Sequence, residues 1–382
     1  MRSWLELLPA APWLAPFALI PRLANLRPTL SDTPPASEGL VSVIIPARNE
    51  SATIETVVRS VLGSAYRPIE VVVLDDRSTD DTAAKVGALA REDSRVRLVP
   101  GRELPEGWYG KPWACLQGYR SARGDLLVFT DADTRHSPEL LGRAVGALRA
   151  TGADLLTIAP RQRCDTFWER IVMPQIWLLL GLRYHPARVN KSRRLRDVIA
   201  NGQFILMPRA SYEAIGTHEA VRGEVAEDLA LAQAVVRQGG RLHFAFAEWL
   251  METRMYHGLG PLIEGWSKNV YLGGRRSFPD EPVLRALVPV MLVLAFCFWL
   301  APPVAVLLGA LGAGPAPAAT AATALGALFW CLICFGMRIP PAYGLGYPLG
   351  AAVALFIAVR STLRGRRRVK WRGRTYVDPS PS

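Results

Sequence analysis

The chain is short of cysteine: 382 residues hold five. The count is odd, and Cys297, Cys331 and Cys334 lie inside apolar runs, so no disulfide framework is implied and the soluble part suits a reducing compartment. Cys331 and Cys334 have the spacing of half a zinc or redox site, but no second ligand pair lies nearby. They read as small apolar packing residues. There is no Gly-x-Gly-x-x-Gly and no Walker loop, which disfavours a dinucleotide dehydrogenase and a phosphate-binding-loop enzyme. No internal repeat period appears. Charge is absent from Ala286 to Met337 and again, past Arg338, from Ile339 to Val359. Since about 20 apolar residues cross a bilayer, these stretches predict two or three membrane spans, near 286–310, 318–337 and 342–360, with the Gly/Pro/Ala stretch 312–319 as a turn.

The formal charge is +12. Nucleic acid is not the expected partner, because the basic residues cluster beside apolar segments instead of along one soluble face. Arg183, Arg188, Lys191, Arg193, Arg194 and Arg196 follow the apolar run Ile171 to Leu182, and a basic tail (361–382) follows the last candidate span. Such placement suits anionic headgroups on a cytoplasmic leaflet, so a multi-pass protein of the cell membrane with a cytoplasmic catalytic part is expected. Residues 1–30 form a membrane-associated segment, a short span or an interfacial one, since the uncharged run Leu7 to Pro21 is short and carries four prolines. No small-residue cleavage site follows it, which speaks against a removed signal peptide. Residues 31–40 read as a linker.

From Val41 onward strand and helix patterns alternate. Strands are expected at 41–45, 69–74, 96–99, 126–130 and 154–158, with helices at 50–62, 79–91, 113–122 and 138–150. This predicts a doubly wound, mostly parallel α/β sheet, Rossmann-like, occupying 41–275. Beyond about 160 the alternation stops. Phe167 to Leu182 is an interfacial or a buried core helix, 199–207 a strand, 209–215 a short helix and 227–238 a helix.

Acidic residues fall at the ends of the expected strands. Val41 to Glu50 closes the first, Asp75 and Asp76 the second, and Asp131-Ala132-Asp133 a later one; Glu227-Asp228 opens a helix. Carboxyl ends of parallel strands share one edge of a sheet, where ligands of open α/β folds bind. Two carboxylates two residues apart supply hard oxygens for Mg²⁺ or Mn²⁺ on a substrate diphosphate. Glu227-Asp228 is open to two readings, helix-terminal charge or a catalytic base.

In this order the motifs resemble the family-2 glycosyltransferases with the GT-A fold, over roughly residues 40–275. The resemblance implies that Pro46, Ala47 and Glu50 border the nucleoside and that Asp75 or Asp76 reads the base. It implies that Asp131 reaches the ribose and metal sphere, that Asp133 binds the divalent metal, and that Asp228, beside Glu227, is the general base of an inverting transfer from a nucleotide-diphosphate sugar. Lys111, in Gly110-Lys111-Pro112-Trp113, pairs with a phosphate or is a surface lysine. The Gln-x-x-Arg-Trp motif of processive synthases is absent; in its place stand Trp266 and Lys268, which could meet the acceptor or the diphosphate. Long-chain polymerisation is therefore doubtful. The Gly107–Ala114 segment and the Trp371–Tyr376 tail resemble the hopanoid-associated and carotenoid lipid glycosyltransferases, which implies a lipid acceptor. Polyprenyl phosphate or a saccharide is the alternative acceptor, and a nucleotidyltransferase or a non-catalytic membrane scaffold the alternative class.

Overall fold

The computed structural model describes residues 5–25, 27–312, 314, 316–365, 369–371 and 374–376. Eight strands make one sheet: β1 (Val41–Ala47), β2 (Ile69–Asp75), β3 (Val96–Pro100), β4 (Leu126–Thr130), β5 (Thr134–His136), β6 (Leu155–Gln162), β7 (Phe204–Pro208) and β8 (Leu242–Thr253), in the order β3-β2-β1-β4-β7-β6-β8-β5. The pairs β1–β2, β2–β3, β1–β4 and β6–β8 are parallel. β7 runs antiparallel to both neighbours, and β5 antiparallel to β8.

β1 and β2 are buried at every position, as central strands covered on both faces must be. The period of two then divides their side chains between two cores. Val41, Val43 and Ile45 join Val71, Val73 and Val128 on one face, under helices Ile54–Leu62 and Leu140–Thr151. Ile44, Val72, Leu127 and Phe129 face the other, against helices Gly110–Ser121 and Glu227–Arg237. Both flanking layers are needed: each face burying its aliphatics stabilises the fold by roughly 25 cal/mol per Å².

Several expected boundaries shift. The helix expected at 113–122 begins at Gly110, which places Lys111 in its first turn. The strand expected at 199–207 starts only at Phe204, and 201–203 form a turn. β5 and the long β8 have no counterpart among the expected strands. The segment 31–40 is not a free tether: Leu30 is fully buried, and Ala36 N donates to Gly142 O at 2.9 Å.

Three described helices or helical segments are long and apolar enough to span a membrane: Pro282–Ala310, Pro317–Gly336 and Pro341–Arg364. The N-terminal run Leu5–Leu19 is a 3₁₀ helix packed on them, with Trp13 stacked on Phe298 at 4.9 Å between ring centroids and Phe17 edge-on to Phe329 at 5.7 Å. Helices Phe167–Arg183 and Leu259–Arg276 join the catalytic part to this apolar layer; Ile171, Val172, Met173, Ile176, Leu262 and Trp266 share one cluster with Phe296, Ala354 and Ile357. The basic run after Leu182 is only partly directed outward. Arg183 lies over the rings of Tyr184 and Phe278, Arg196 pairs with Glu281 and Arg193 donates to the carbonyls of Gly239 and Gly240, while Arg188, Lys191 and Arg194 are exposed. Residues 369–371 and 374–376 pair as a short antiparallel ladder, and half of the basic tail lies outside the described residues.

Candidate active site

Antiparallel β7 is what completes the site. Its register sets Thr130 opposite Phe204, so the turn just before β7 lands beside the end of β4, where Asp131 N donates to Gln203 O at 3.4 Å. Helix Glu227–Arg237 brings its first turn to the same place: Asp228 accepts from Gly202 N at 2.8 Å and from Leu229 N at 2.7 Å. Gly202 lets Lys111 and Asp228 approach its backbone closely. A Cβ at this position would stand 2.8 Å from Lys111 Nζ and 3.2 Å from Asp228 Oδ2.

Lys111 sits at the centre of the charge. Its ammonium lies 2.8 Å from Asp131 Oδ1 and 3.0 Å from Glu227 Oε1, with its side chain 23 % exposed. The surface-lysine reading is thereby excluded, and in this state its partners are carboxylates. Burial lowers its affinity for a proton, but Asp131 and Glu227 outweigh that and hold the ammonium well above the ordinary lysine value. Burial likewise opposes ionisation of Glu227, and Lys111 with Lys268 reverses it, so Glu227 is held below the usual carboxylate range. Asp228 differs. Burial, then the adjacent Glu227 charge, raise it to about 6, a value suited to accepting a proton near neutrality. Lys268 is lowered, first by burial.

Breaking this cluster has a predictable cost. Lys111→Met takes from Asp131 and Glu227 the one cation in direct contact with both, leaving only the more distant Lys268, and removal of one partner from a buried pair costs about 3–5 kcal/mol. The expected result is a clear fall in Tm at pH 7.5, measured by scanning fluorimetry, that shrinks at pH 4.5, where the carboxylates take up protons.

Asp133 lies on the turn between β4 and β5, pinned by Thr253 Oγ1 donating to its carbonyl at 3.2 Å. Tyr256 faces it: burial and the Asp133 charge both push the phenol up. Sequence reasoning missed Tyr256 and Gly202. Tyr256 follows β8, which the sequence pattern does not mark as a strand, and Gly202 is hidden inside an expected strand; Gly265, whose missing side chain leaves room for the Tyr256 ring, was the one available signal. Among the described residues no group of three or more His, Cys, Asp or Glu is arranged to hold a metal by itself. The donor set still fits a divalent ion carried by a diphosphate, because such an ion takes only one or two protein carboxylates and completes its shell with phosphate and water.

One cavity of about 1550 Å³ gathers Pro46, Glu50, Lys111, Asp131, Asp133, Glu227, Asp228, Trp266 and Lys268 on its wall. Ala47, Asp75 and Asp76 are buried behind that wall at the ends of β1 and β2. Asp75 accepts from Ser78 N at 3.3 Å, and Asp76 N donates to Ala47 O at 2.7 Å, so both shape the loop between strand and helix. Trp266 is buried, with its indole N–H donating to Met173 Sδ at 3.2 Å. The same cavity continues past Trp177 and Leu180 to Val288, Met291, Leu332 and Phe335 of the apolar helices.

A family model described as "Glycosyl transferase family 2" matches residues 42–216. The chain carries a family 2 glycosyltransferase domain. It is similar to the 4,4'-diaponeurosporenoate glycosyltransferase of Staphylococcus haemolyticus (strain JCSC1435), 27% identical over 263 residues, which are 67% of this chain and 68% of that protein. A second relative of the same description, from Staphylococcus aureus (strain MRSA252), is 27% identical over 256 residues, 65% of this chain and 64% of its own length. The fold is similar to that of the mannosyltransferase PcManGT from Pyrobaculum calidifontis, solved with GDP-Man and Mn²⁺, at a TM-score of 0.61 and 19% identity, covering 95% of this chain and 98% of that one. The fold is GT-A, with its mostly parallel sheet, and the protein is a glycosyltransferase.

Proposed function

We propose that this glycosyltransferase moves a sugar, with inversion, from a nucleoside diphosphate to a lipid acceptor at the cytoplasmic face of the cell membrane, with a divalent metal at Asp133 and Asp131. The observation that carries the reading is the continuity of one cavity from the acidic rim at Asp131, Asp133 and Asp228 to the apolar wall at Met291, Leu332 and Phe335. Phe335 is 71% exposed and Leu332 41%, so the apolar arm opens sideways toward hydrocarbon instead of water. A ligand with a polar reacting end and a long apolar body fits that shape. The names of the staphylococcal relatives support the same acceptor class.

Pro46 and Glu50 form the nucleoside end of the cavity, and Asp75 and Asp76 stiffen the loop behind it. Asp133 and Asp131 would hold the divalent ion, which would supply Lewis-acid stabilisation of the departing diphosphate. Lys111 and Lys268 add positive charge on the same side, and diphosphate competes with Asp131 and Glu227 for the Lys111 ammonium. Asp228 accepts the proton of the attacking hydroxyl; its two backbone N–H bonds fix its carboxylate in place before the acceptor arrives. Because a single displacement needs no enzyme nucleophile, the anomeric configuration inverts.

With Asp228 near 6, kcat/KM is expected to hold on a plateau above that pH and to fall about tenfold per unit below it, as the base is protonated. The test of the whole reading is incubation of the membranes with several labelled nucleotide sugars, with and without EDTA, followed by mass spectrometry of the extracted lipids. One metal-dependent glycolipid of inverted configuration, with release of nucleoside diphosphate, is the expected product. Labelled water-soluble saccharide, or pyrophosphate release, refutes the lipid reading or the transfer chemistry respectively.

A further inference from the structure

The geometry points to a re-entrant path for the third apolar segment: after Arg338 the chain dips about halfway into the bilayer and returns, so that the carboxyl terminus shares the compartment of the catalytic sheet. This goes beyond the proposed reaction and does not depend on which sugar or acceptor is used.

The first two helices make ordinary crossings. Pro282–Ala310 has 29 residues, about 43 Å at 1.5 Å per residue, and leaves from the catalytic side, where Arg285 donates to Phe278 O at 3.2 Å and Glu281 pairs with Arg196. Pro317–Gly336, with 20 residues or about 30 Å, matches the hydrocarbon thickness. It runs back antiparallel, with Trp299 stacked on Phe329 at 5.0 Å. Arg338, just past its end, lies 3.9 Å from Glu248 and 3.7 Å over the ring of Trp249, both on β8. Two crossings have returned the chain to the catalytic part.

From Ile339 the chain climbs the second helix only partway. Ile339 N donates to Cys334 O at 2.9 Å, Gly344 rests on the backbone of Cys331, and Tyr347 Oη donates to Thr323 O at 3.4 Å. The contacts move from 334 to 331 to 323, about 16 Å at the helical rise and so about half the hydrocarbon depth. There the direction reverses. In helix Tyr347–Arg364, Gly350 abuts the Ile171 carbonyl, Ala354 and Ile357 meet Leu262 and Trp266, and Ser361 Oγ accepts from Tyr271 N at 3.0 Å. Arg360 and Arg364 both reach Glu264, at 2.9 and 2.7 Å.

Every one of those last partners lies on helices Phe167–Arg183 and Leu259–Arg276, which belong to the catalytic part. A third crossing would instead carry Arg360 and Arg364 to the level of the turn after Ala310. The 3₁₀ helix Pro341–Gly346, which departs from α-helical hydrogen bonding at membrane depth, is covered by protein, since it lies along Pro317–Gly336. Gly344 permits that contact by resting on Cys331, and Gly346 and Gly350 permit the approach of the returning chain to Ile171. The turning point shows the surrounding hydrocarbon Leu345, 65% exposed, and Leu349, 44% exposed, and carries no charge.

The test uses the full chain in sealed, uniformly oriented vesicles and a membrane-impermeant maleimide, with labelling of the unsubstituted protein as background. Glu103→Cys, at an exposed loop position of the catalytic part, reports the catalytic face; Gly312→Cys reports the turn between the first two helices; Ser382→Cys reports the carboxyl terminus. The expected pattern is that 103 and 382 label from one face and 312 from the other. Labelling of 382 together with 312, or of 312 together with 103, overturns the proposal.

Discussion

Asp228→Asn is expected to lower kcat by about 10²–10⁴, the usual worth of a positioned general base, with little change in KM for the nucleotide sugar. The amide keeps the size of the side chain and one acceptor oxygen, but it turns an NH2 donor toward one of the N–H groups of Gly202 and Leu229, so the loss reports the missing basicity together with one lost hydrogen bond. Stability carries a second signal, in its dependence on pH. Because Asp228 is raised to about 6 in the folded chain, its ionised form is disfavoured by folding; that penalty is fully present above the folded value and vanishes below the unfolded one. The Tm of the asparagine variant relative to the parent should therefore be highest at pH 8 and should drop as the pH falls toward 4. Parallel measurement of transfer rate and Tm checks both signs. A variant that is active but unstable contradicts the assignment of the base.

Asp133→Ala should cost about 10²–10³ in kcat, as for removal of one preorganised electrostatic stabiliser, and should raise the Mn²⁺ concentration needed for half-maximal rate. Its Tm should fall less than that of an Asp131 variant, because Asp133 is not one of the carboxylates in contact with Lys111. Asp131→Ala is the informative contrast. It removes the 2.8 Å partner of Lys111 as well as a candidate ligand, so it should lose both activity and Tm. Metal titrations of the two variants, set beside their melting curves, separate the ligand from the ion-pair role. Equal losses of stability in both would contradict that division.

The sheet was legible where burial on both faces leaves no ambiguity. Leu126–Thr130 occupies the span its apolar run predicts, and the acidic pair follows it immediately. The antiparallel direction of β7 was not legible, since Phe-Ile-Leu-Met presents the same pattern read either way. That direction is what brings Gly202 and Gln203 to the site, so the partners of Asp228 were invisible with it. β8 escaped notice because it mixes buried positions with an exposed Trp249 and half-buried Glu248, and because its pairing with β6 is broken by an irregularity at Pro160/Arg161. Lys111 was legible as a candidate but not as the hub of the acidic cluster, which requires knowing that helix Glu227–Arg237 points its first turn at helix Gly110–Ser121. The third apolar segment met the length rule for a span, but length does not record that Arg338 and Arg364 both reach back to glutamates of the catalytic part.

The most direct measurement is a structure of the full-length protein in a lipid nanodisc with Mn²⁺ and a non-transferable nucleotide sugar, with the ion located by its anomalous or spectroscopic signal. The predicted result is Mn²⁺ bound to Asp133 beside Asp131, bridging the diphosphate, with the anomeric carbon between that ion and Asp228 and the apolar arm toward Phe335 left open. An ion bound away from Asp133, or a nucleotide seated outside the cavity walled by Pro46, Lys111 and Asp228, would contradict it.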